Sequence, residues 1–434
     1  MKRLWGLLIF ILVLVSCVNE EHSSVEPKSG KQTQLKSNHV DVLWNATVKE
    51  YLKDDLWLER DRYDAGHYLM VPLHFAYLEE DTKLIKDFEN HFTDFINDGI
   101  ETLNIKEDSN RLSTLQYYYL LSRYIVLAES SNHQVINEEN VDYLANFLLS
   151  EIKQLWEIPA WQWGRNPFQG GMKERLLWKL DRTDTNPSYY RAIIDEELYT
   201  MAIAADLRQY FNNEPVLEEI SELTYKVFER ESRFDPEGRW LFQVGVWTDH
   251  PDYTYAGYLE EDRIGNKEKK VEDIVQDSSH AHRFPLWFRS FIDSYPSQSE
   301  EKLFFEKALA GLEKQLFDNV LLPPEKEKPY YRLTNYMNGH NGMFRWKYDT
   351  ASGSGYGPFE LTGTFTIGWW TFLGSDRINS VYANLAEQFP LSEETINLYV
   401  GPNTTRERNP YVTDPDSYYN GFKKLLSLLA SKIE

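Results

Sequence analysis

Cysteine is almost missing from this chain. Among 434 residues there is one, Cys17. A single cysteine excludes an internal disulfide and leaves the rest of the chain without thiol chemistry or Cys-based metal sites. Three further absences narrow the chemistry. There is no Gly-rich phosphate loop leading into a helix, no nucleophile elbow and no His-Glu-x-x-His pair. No His/Asp/Glu cluster has a diagnostic metal spacing, so no cofactor and no metal are expected. Positive charge is also scarce: 46 Lys and Arg stand against 68 Asp and Glu, for a net charge of -22. So acidic a surface disfavours nucleic acid and anionic membrane as partners, while leaving room for an anionic sugar polymer held by a local basic site.

The first residues read MKRLWGLLIFILVLVSCVNEE. Lys2 and Arg3 precede an apolar run from Leu4 to Val15, which is too short and too early for a spanning helix and follows the plan of a signal peptide over residues 1–16. The ending Leu14-Val15-Ser16-Cys17 resembles the bacterial lipobox, in which the cysteine becomes the lipidated first residue. Residues 17–38 are polar and read as a lipid-anchored tether. With Val18 rather than Asp after the cysteine, the expected location is the cell envelope, on the outer membrane of a Gram-negative bacterium. Residues 39–434 remain for a folded domain. The sequence does not specify an oligomeric state.

Apolar residues recur at helical spacing in pairs of segments split by short polar stretches. The pairs are 64–79 with 81–98, 111–128 with 137–155, 190–210 with 215–230, 277–294 with 299–317, and 362–374 with 376–389. Residues 40–53 and 415–432 look helical as well. The expectation is an all-α dominant fold of helical hairpins, each covering its neighbour's apolar face, with small β-rich insertions. The insertions lie at 156–189, which carries four Trp, at 238–276, whose aromatic and β-branched runs suggest a hairpin, and at the Gly-rich 325–361. Loops of this kind usually carry function on a helical scaffold. The chain's 13 Trp and 28 Tyr suit stacking on the apolar faces of sugar rings as well as core packing.

The phrase Asp-x-x-His, with Pro-Leu at the same offset, occurs twice: DAGHYLMVPLHF at 64–75 and DSSHAHRFPLWF at 277–288. At about 100° per residue, Asp277, His280, Phe284, Trp287 and Phe291 share one helix face, with Arg283 at its margin and His282 opposite. Asp64, His67, Tyr68, Val71 and Phe75 do the same in the first copy. The Asp can cap the helix and orient its own His. Pro72 and Pro285 either kink a continuous helix or start a new one. In both cases the His is expected near a helix N-terminus, whose dipole favours the neutral imidazole that a general base needs. The phrases open the first and fourth hairpins, so in a six-fold ring both would line one cavity. At minimum, each phrase is a capped helix start with a buried His.

The helical hairpins, the aromatic loops and the lipoprotein start together resemble the six-hairpin (α/α) toroid group of carbohydrate-active enzymes, which holds polysaccharide lyases, glycoside hydrolases and uronyl epimerases. The segment WTDHPDYTYAG at 247–257, followed by DSSHAHR at 277–283, is similar to stretches in members of this group. Its lyases often begin one helix with Asn-Asn-His; the corresponding place here reads Ser278-Ser279-His280. The resemblance implies a toroid over 39–434 and a polysaccharide or oligosaccharide substrate. The leading expectation is β-elimination on a uronic-acid-containing polymer. His280 would be the base, oriented by Asp277. Arg283 with Asn338 or Asn341 would hold the carboxylate, and Tyr253, Tyr255 or Tyr356 would be the acid. Asp64, His67, Trp161, Trp163, His250 and His340 complete the expected substrate contacts. Two alternatives stay open: a glycoside hydrolase using a carboxyl pair drawn from Asp64, Asp195, Glu196 and Asp277, and a glycan-binding lipoprotein without catalysis.

Overall fold

The computed structural model describes residues 39–433 except 108, 132, 164–165, 260–266, 347–354 and 403–407. The signal peptide, Cys17 and the tether therefore lie outside the described residues. Helix dominates, as the periodicity predicts. The helices are α1 (Val48–Tyr51), α2 (Asp61–Tyr68), α3 (Met70–Leu78), α4 (Thr82–Asp94), α5 (Arg111–Ser130), α6 (Glu138–Glu157), α7 (Gly171–Leu180), α8 (Asp195–Tyr210) and α9 (Pro215–Glu231). They continue with α10 (Ser278–Ala281), α11 (Phe284–Ser294), α12 (Glu300–Gln315), α13 (Asp376–Glu387), α14 (Glu393–Val400), α15 (Asp416–Tyr419) and α16 (Phe422–Ala430).

Local chemistry explains the starts. The side chains of Asp81, Asn137, Ser299, Ser375 and Ser392 each accept backbone N–H groups at the head of α4, α6, α12, α13 and α14. Pro215 opens α9, where a missing N–H costs nothing. Within each pair the two helices differ in burial. α6 buries Val141, Leu144, Ala145, Leu148, Leu149 and Ile152, the one-sided stripe of a surface helix. α5 buries Thr114 through Ile125 without a break, and α8 buries Glu197 through Leu207. A helix covered all round lies inside. Elements also pack in a closed series: α2 on α5, α5 on α8, α8 on α11, α11 on the 3-10 segment Trp369–Leu373, that segment on the one-sided α13, α13 on α16, and α16 back on α3.

Three expectations need correction. Residues 362–374 do not form one α-helix. They form two 3-10 segments, Thr362–Ile367 and Trp369–Leu373, because Gly368 sits at φ 95° and Gly374 at φ 70°, in the left-handed region that ends helices. The β-hairpin begins earlier than 238: β1 (Ser232–Phe234) pairs antiparallel with β2 (Trp240–Phe242), and the chain beyond β2 runs through turns into a 3-10 segment at Pro251–Tyr253. A second short ladder joins β3 (Leu321–Leu322) to β4 (Arg332–Leu333). The tryptophan-rich insertion contains α7, a helix where a loop is expected. Among the described residues no helix is long and apolar enough to cross a membrane.

Candidate functional site

The second Asp-x-x-His phrase folds as a short capped turn followed by a new helix. Asp277 is the N-cap of α10, accepting the backbone N–H of Ser279 at 3.1 Å and of His280 at 3.2 Å. The chain then breaks, and Pro285 falls in the first turn of α11, where its lack of an N–H is tolerated. This break overturns the helical-wheel expectation for His282. With no continuous helix from 277 to 291, His280 and His282 both face the same cavity.

His280 Nδ1 donates to the Asp277 carboxylate at 2.8 Å, and the Tyr253 hydroxyl donates to Asp277 Oδ2 at 2.9 Å. Burial alone would raise the Asp277 carboxyl, but the His280 imidazole and the Ser279 contacts outweigh it and hold the group well below the usual carboxylate range. Asp277 is thus a buried, ionised group that fixes the His280 tautomer. That leaves Nε2 for the cavity, 3.8 Å from Asp195 Oδ2. The His280 side chain is 26% exposed, enough to meet a ligand.

The first phrase lines the same cavity but is built differently. Asp64 lies inside α2 and does not cap it, and His67 lies in the last turn, not near an N-terminus. The reason is that α2 starts earlier, at Asp61, so the phrase falls within its run. His67 Nδ1 donates to the Tyr63 carbonyl at 2.9 Å, and Nε2 accepts from Arg283 Nε at 3.2 Å. Burial, with Arg283 and His282 nearby, holds His67 well below the ordinary imidazole range, so it is neutral. Both its nitrogens are occupied by protein; its work is to hold Arg283.

Arg283 is itself fully engaged. Besides His67, it donates from Nη1 to Asp195 Oδ2 and from Nη2 to the Tyr63 hydroxyl at 3.3 Å. Its side chain is 3% exposed. Arg283 is thus a nearly buried strut in the wall, joining both phrases and α8, with its donors taken up so that a substrate carboxylate cannot form the paired contact expected of it.

The cavity measures about 830 Å³. Among the described residues its wall carries five basic residues (Arg60, Arg283, Arg345, Arg408 and Lys423) and five acidic ones (Asp64, Asp195, Glu360, Asp414 and Asp416). A wall with formal balance inside a chain of net charge -22 is locally basic relative to its surroundings. Tyr63, Phe344 and Tyr356 add aromatic surface. Burial pushes the Glu360 carboxyl up. Among the described residues no group of three or more His, Cys, Asp or Glu side chains is placed to hold a metal ion.

Several expected residues lie elsewhere. Tyr253 is behind Asp277, and burial followed by that carboxylate's charge raises its hydroxyl pKa well above the ordinary value. Tyr255 is buried against Tyr258, off the wall. Asn338 donates to the Asp273 carbonyl, the exposed His340 shares its turn, and the Asn341 side-chain oxygen accepts the backbone N–H of Asn335 and Phe359. These three brace a loop because NGHNG must turn sharply, with Gly339 at φ 88°. His250 caps the Pro251–Tyr253 turn and packs with Trp161's neighbour Trp163 at a ring distance of 5.8 Å. Trp161 is 43% exposed and meets Trp163 edge-on, an aromatic patch away from the cavity wall. Glu196 is bound to Arg111 and Arg175, whose charges outweigh burial and lower its pKa, so it is an internal ion-pair partner. Reasoning from sequence missed Arg60, Tyr63, Arg345, Glu360 and Arg408. Tyr63 had a local signal, four residues before His67 on the same helix face, and so did Arg60, four residues before Asp64. Comparison with protein-family models, with curated proteins and with solved structures finds no match.

Proposed function

We propose that the chain is a lipid-anchored polysaccharide-degrading enzyme, a lyase that cleaves a uronic-acid-containing polymer by β-elimination on an (α/α) toroid. The observation that carries this reading is the Asp277–His280 pair, whose Nε2 opens on a cavity with several arginines on its wall. The return of α16 onto α3 at the end of the packed series supports the toroid.

In this reading His280 Nε2 takes the proton from the carbon beside the substrate carboxylate. The electron pair forms a carbon–carbon double bond as the glycosidic carbon–oxygen bond breaks, and the departing oxygen takes a proton from an acid. Asp277 stabilises the imidazolium that forms. Tyr63, anchored by Arg283 beside Asp195, is assigned as the acid, and Tyr356 as a sugar contact. Arg345, 28% exposed beside Phe344 and tied through Nε to Asp252, meets the carboxylate of the reacting sugar. Placement on the outer membrane through lipidated Cys17 rests on the Leu-Val-Ser-Cys segment, and Cys17→Ser is expected to leave the membrane fraction.

The test is incubation of the chain lacking residues 1–20 with a panel of uronate polymers, with products read by mass and by absorbance of the new double bond. Products one water lighter than hydrolytic fragments are expected, and His280→Ala, with its melting temperature retained, is expected to lose them. Hydrolytic masses would instead favour a glycoside hydrolase, a reading supported by Asp195 and the raised Glu360 carboxyl on the same wall. No turnover on any polymer would leave glycan binding alone.

A further inference from the structure

We infer that Arg60 and Arg408 form a second anion subsite in the cavity, taking a carboxylate on a sugar other than the one that reacts. The inference rests on the uronate reading above and extends it: the substrate must carry at least two carboxylates.

Both guanidinium groups face the buried Asp64 without closing on it. Arg60 Nη2 lies 3.5 Å from Asp64 Oδ1, and Arg408 Nε lies 3.7 Å from Oδ2. A charge-assisted N–H···O contact normally closes to about 2.7–2.9 Å. Three atoms here have no hydrogen-bond partner among the described residues: Arg60 Nε, Arg408 Nε and Asp64 Oδ2. These three atoms are buried, and the Arg60 contact is a long hydrogen bond, so what a ligand would meet is the exposed part of each arginine side chain. The Arg60 and Arg408 side chains are 28% and 17% exposed on the cavity wall, in contrast to Arg283 at 3%.

The charge nearby points the same way. Lys423 Nζ is buried, bonded to the Tyr68 hydroxyl at 3.1 Å and 4.0 Å from Asp414 Oδ1. Arg60, Arg408 and Lys423 thus meet two facing carboxylates, Asp64 and Asp414; Asp416, also on this wall, is exposed to water. The arginine guanidinium presents donors that match a planar carboxylate, and Arg60 is held in place over the Tyr63 ring at 3.7 Å. Tyr63 also touches Arg283, so this subsite adjoins the His280 end of the cavity.

The test measures binding by calorimetry on the inactive His280→Ala chain. The probes are a uronate trisaccharide bearing all three carboxylates and the same trisaccharide with only the reacting residue left acidic. The tri-acid is expected to bind at least about tenfold tighter, the scale of one charge-assisted contact. Arg60→Gln combined with Asp64→Asn is expected to remove most of that advantage. Arg408→Gln combined with Asp64→Asn, which avoids stranding the buried carboxylate, is expected to do the same. Equal affinity for the two probes, or an advantage that survives both variants, overturns the subsite. Binding is read apart from turnover, so a tri-acid advantage lost in both variants sustains the subsite even if the wild-type chain eliminates nothing.

Discussion

At the scale of single residues, histidine shows how burial and partner decide a role. His280 keeps an open Nε2 because Asp277 takes Nδ1. His67 has both nitrogens engaged and serves as a brace. His91 is a third case: Nδ1 donates to the Leu52 carbonyl and Nε2 accepts from the Tyr117 hydroxyl, both at 2.9 Å. Burial outweighs the Leu52 contact and lowers its pKa to about 4. The unfolded chain takes up this proton near the ordinary imidazole pKa of about 6.5, and the folded chain does not until about pH 4. The stabilisation is therefore complete above about pH 6.5 and is lost as pH falls toward 4, by about 1.4 kcal/mol per unit. His91→Gln is expected to flatten the urea-unfolding stability between pH 6 and 4.5 by about that slope relative to the unaltered chain. Identical slopes would show that His91 titrates alike in both states.

At the scale of elements, the helix pairs were legible because their stripes repeat at 3.6 residues and because Asp81, Asn137 and Ser299 mark starts that side-chain chemistry dictates, whereas the short α14 behind Ser392 was not expected. The 3-10 pair around Gly368 was not, since one left-handed residue interrupts an otherwise helical apolar run. The candidate site was legible where it is local, as in the Asp277 cap. It was illegible where it is assembled across the chain: Arg60 and Arg408 are 348 positions apart in number, and although Arg60 stands four before Asp64, nothing in the sequence brings Arg408 to them. The same limit hid what holds Asp195. Its helix, α8, starts on Glu197, which accepts the Ile194 N–H at 2.9 Å, Arg175 Nε at 2.8 Å and Lys179 Nζ at 2.8 Å, with both cations from α7 fully buried. Burial lowers the Lys179 pKa to about 8 even against the pull of Glu197. Glu197→Ala strands the buried Lys179 and leaves Arg175 with Glu196 alone, and is expected to cost about 3–5 kcal/mol in urea unfolding. A cost under about 1 kcal/mol would mean that water replaces the carboxylate there.

At the scale of the whole molecule, the wall of the cavity is drawn from both ends of the chain. The Trp369 indole N–H donates to the His67 carbonyl at 2.8 Å, and Lys423 reaches Tyr68. These two contacts span 302 and 355 positions. That reach has a consequence in time. A polypeptide emerging from the ribosome can form its early helix pairs one after another, but it has no finished cavity until α16 has been made. Contacts this distant also pay their loop-closure entropy last, which slows the final step of folding. During refolding, the long-range contacts that close the cavity are expected to form only in the slowest phase, well after most of the helical signal, as tryptophan fluorescence followed beside far-UV circular dichroism would show.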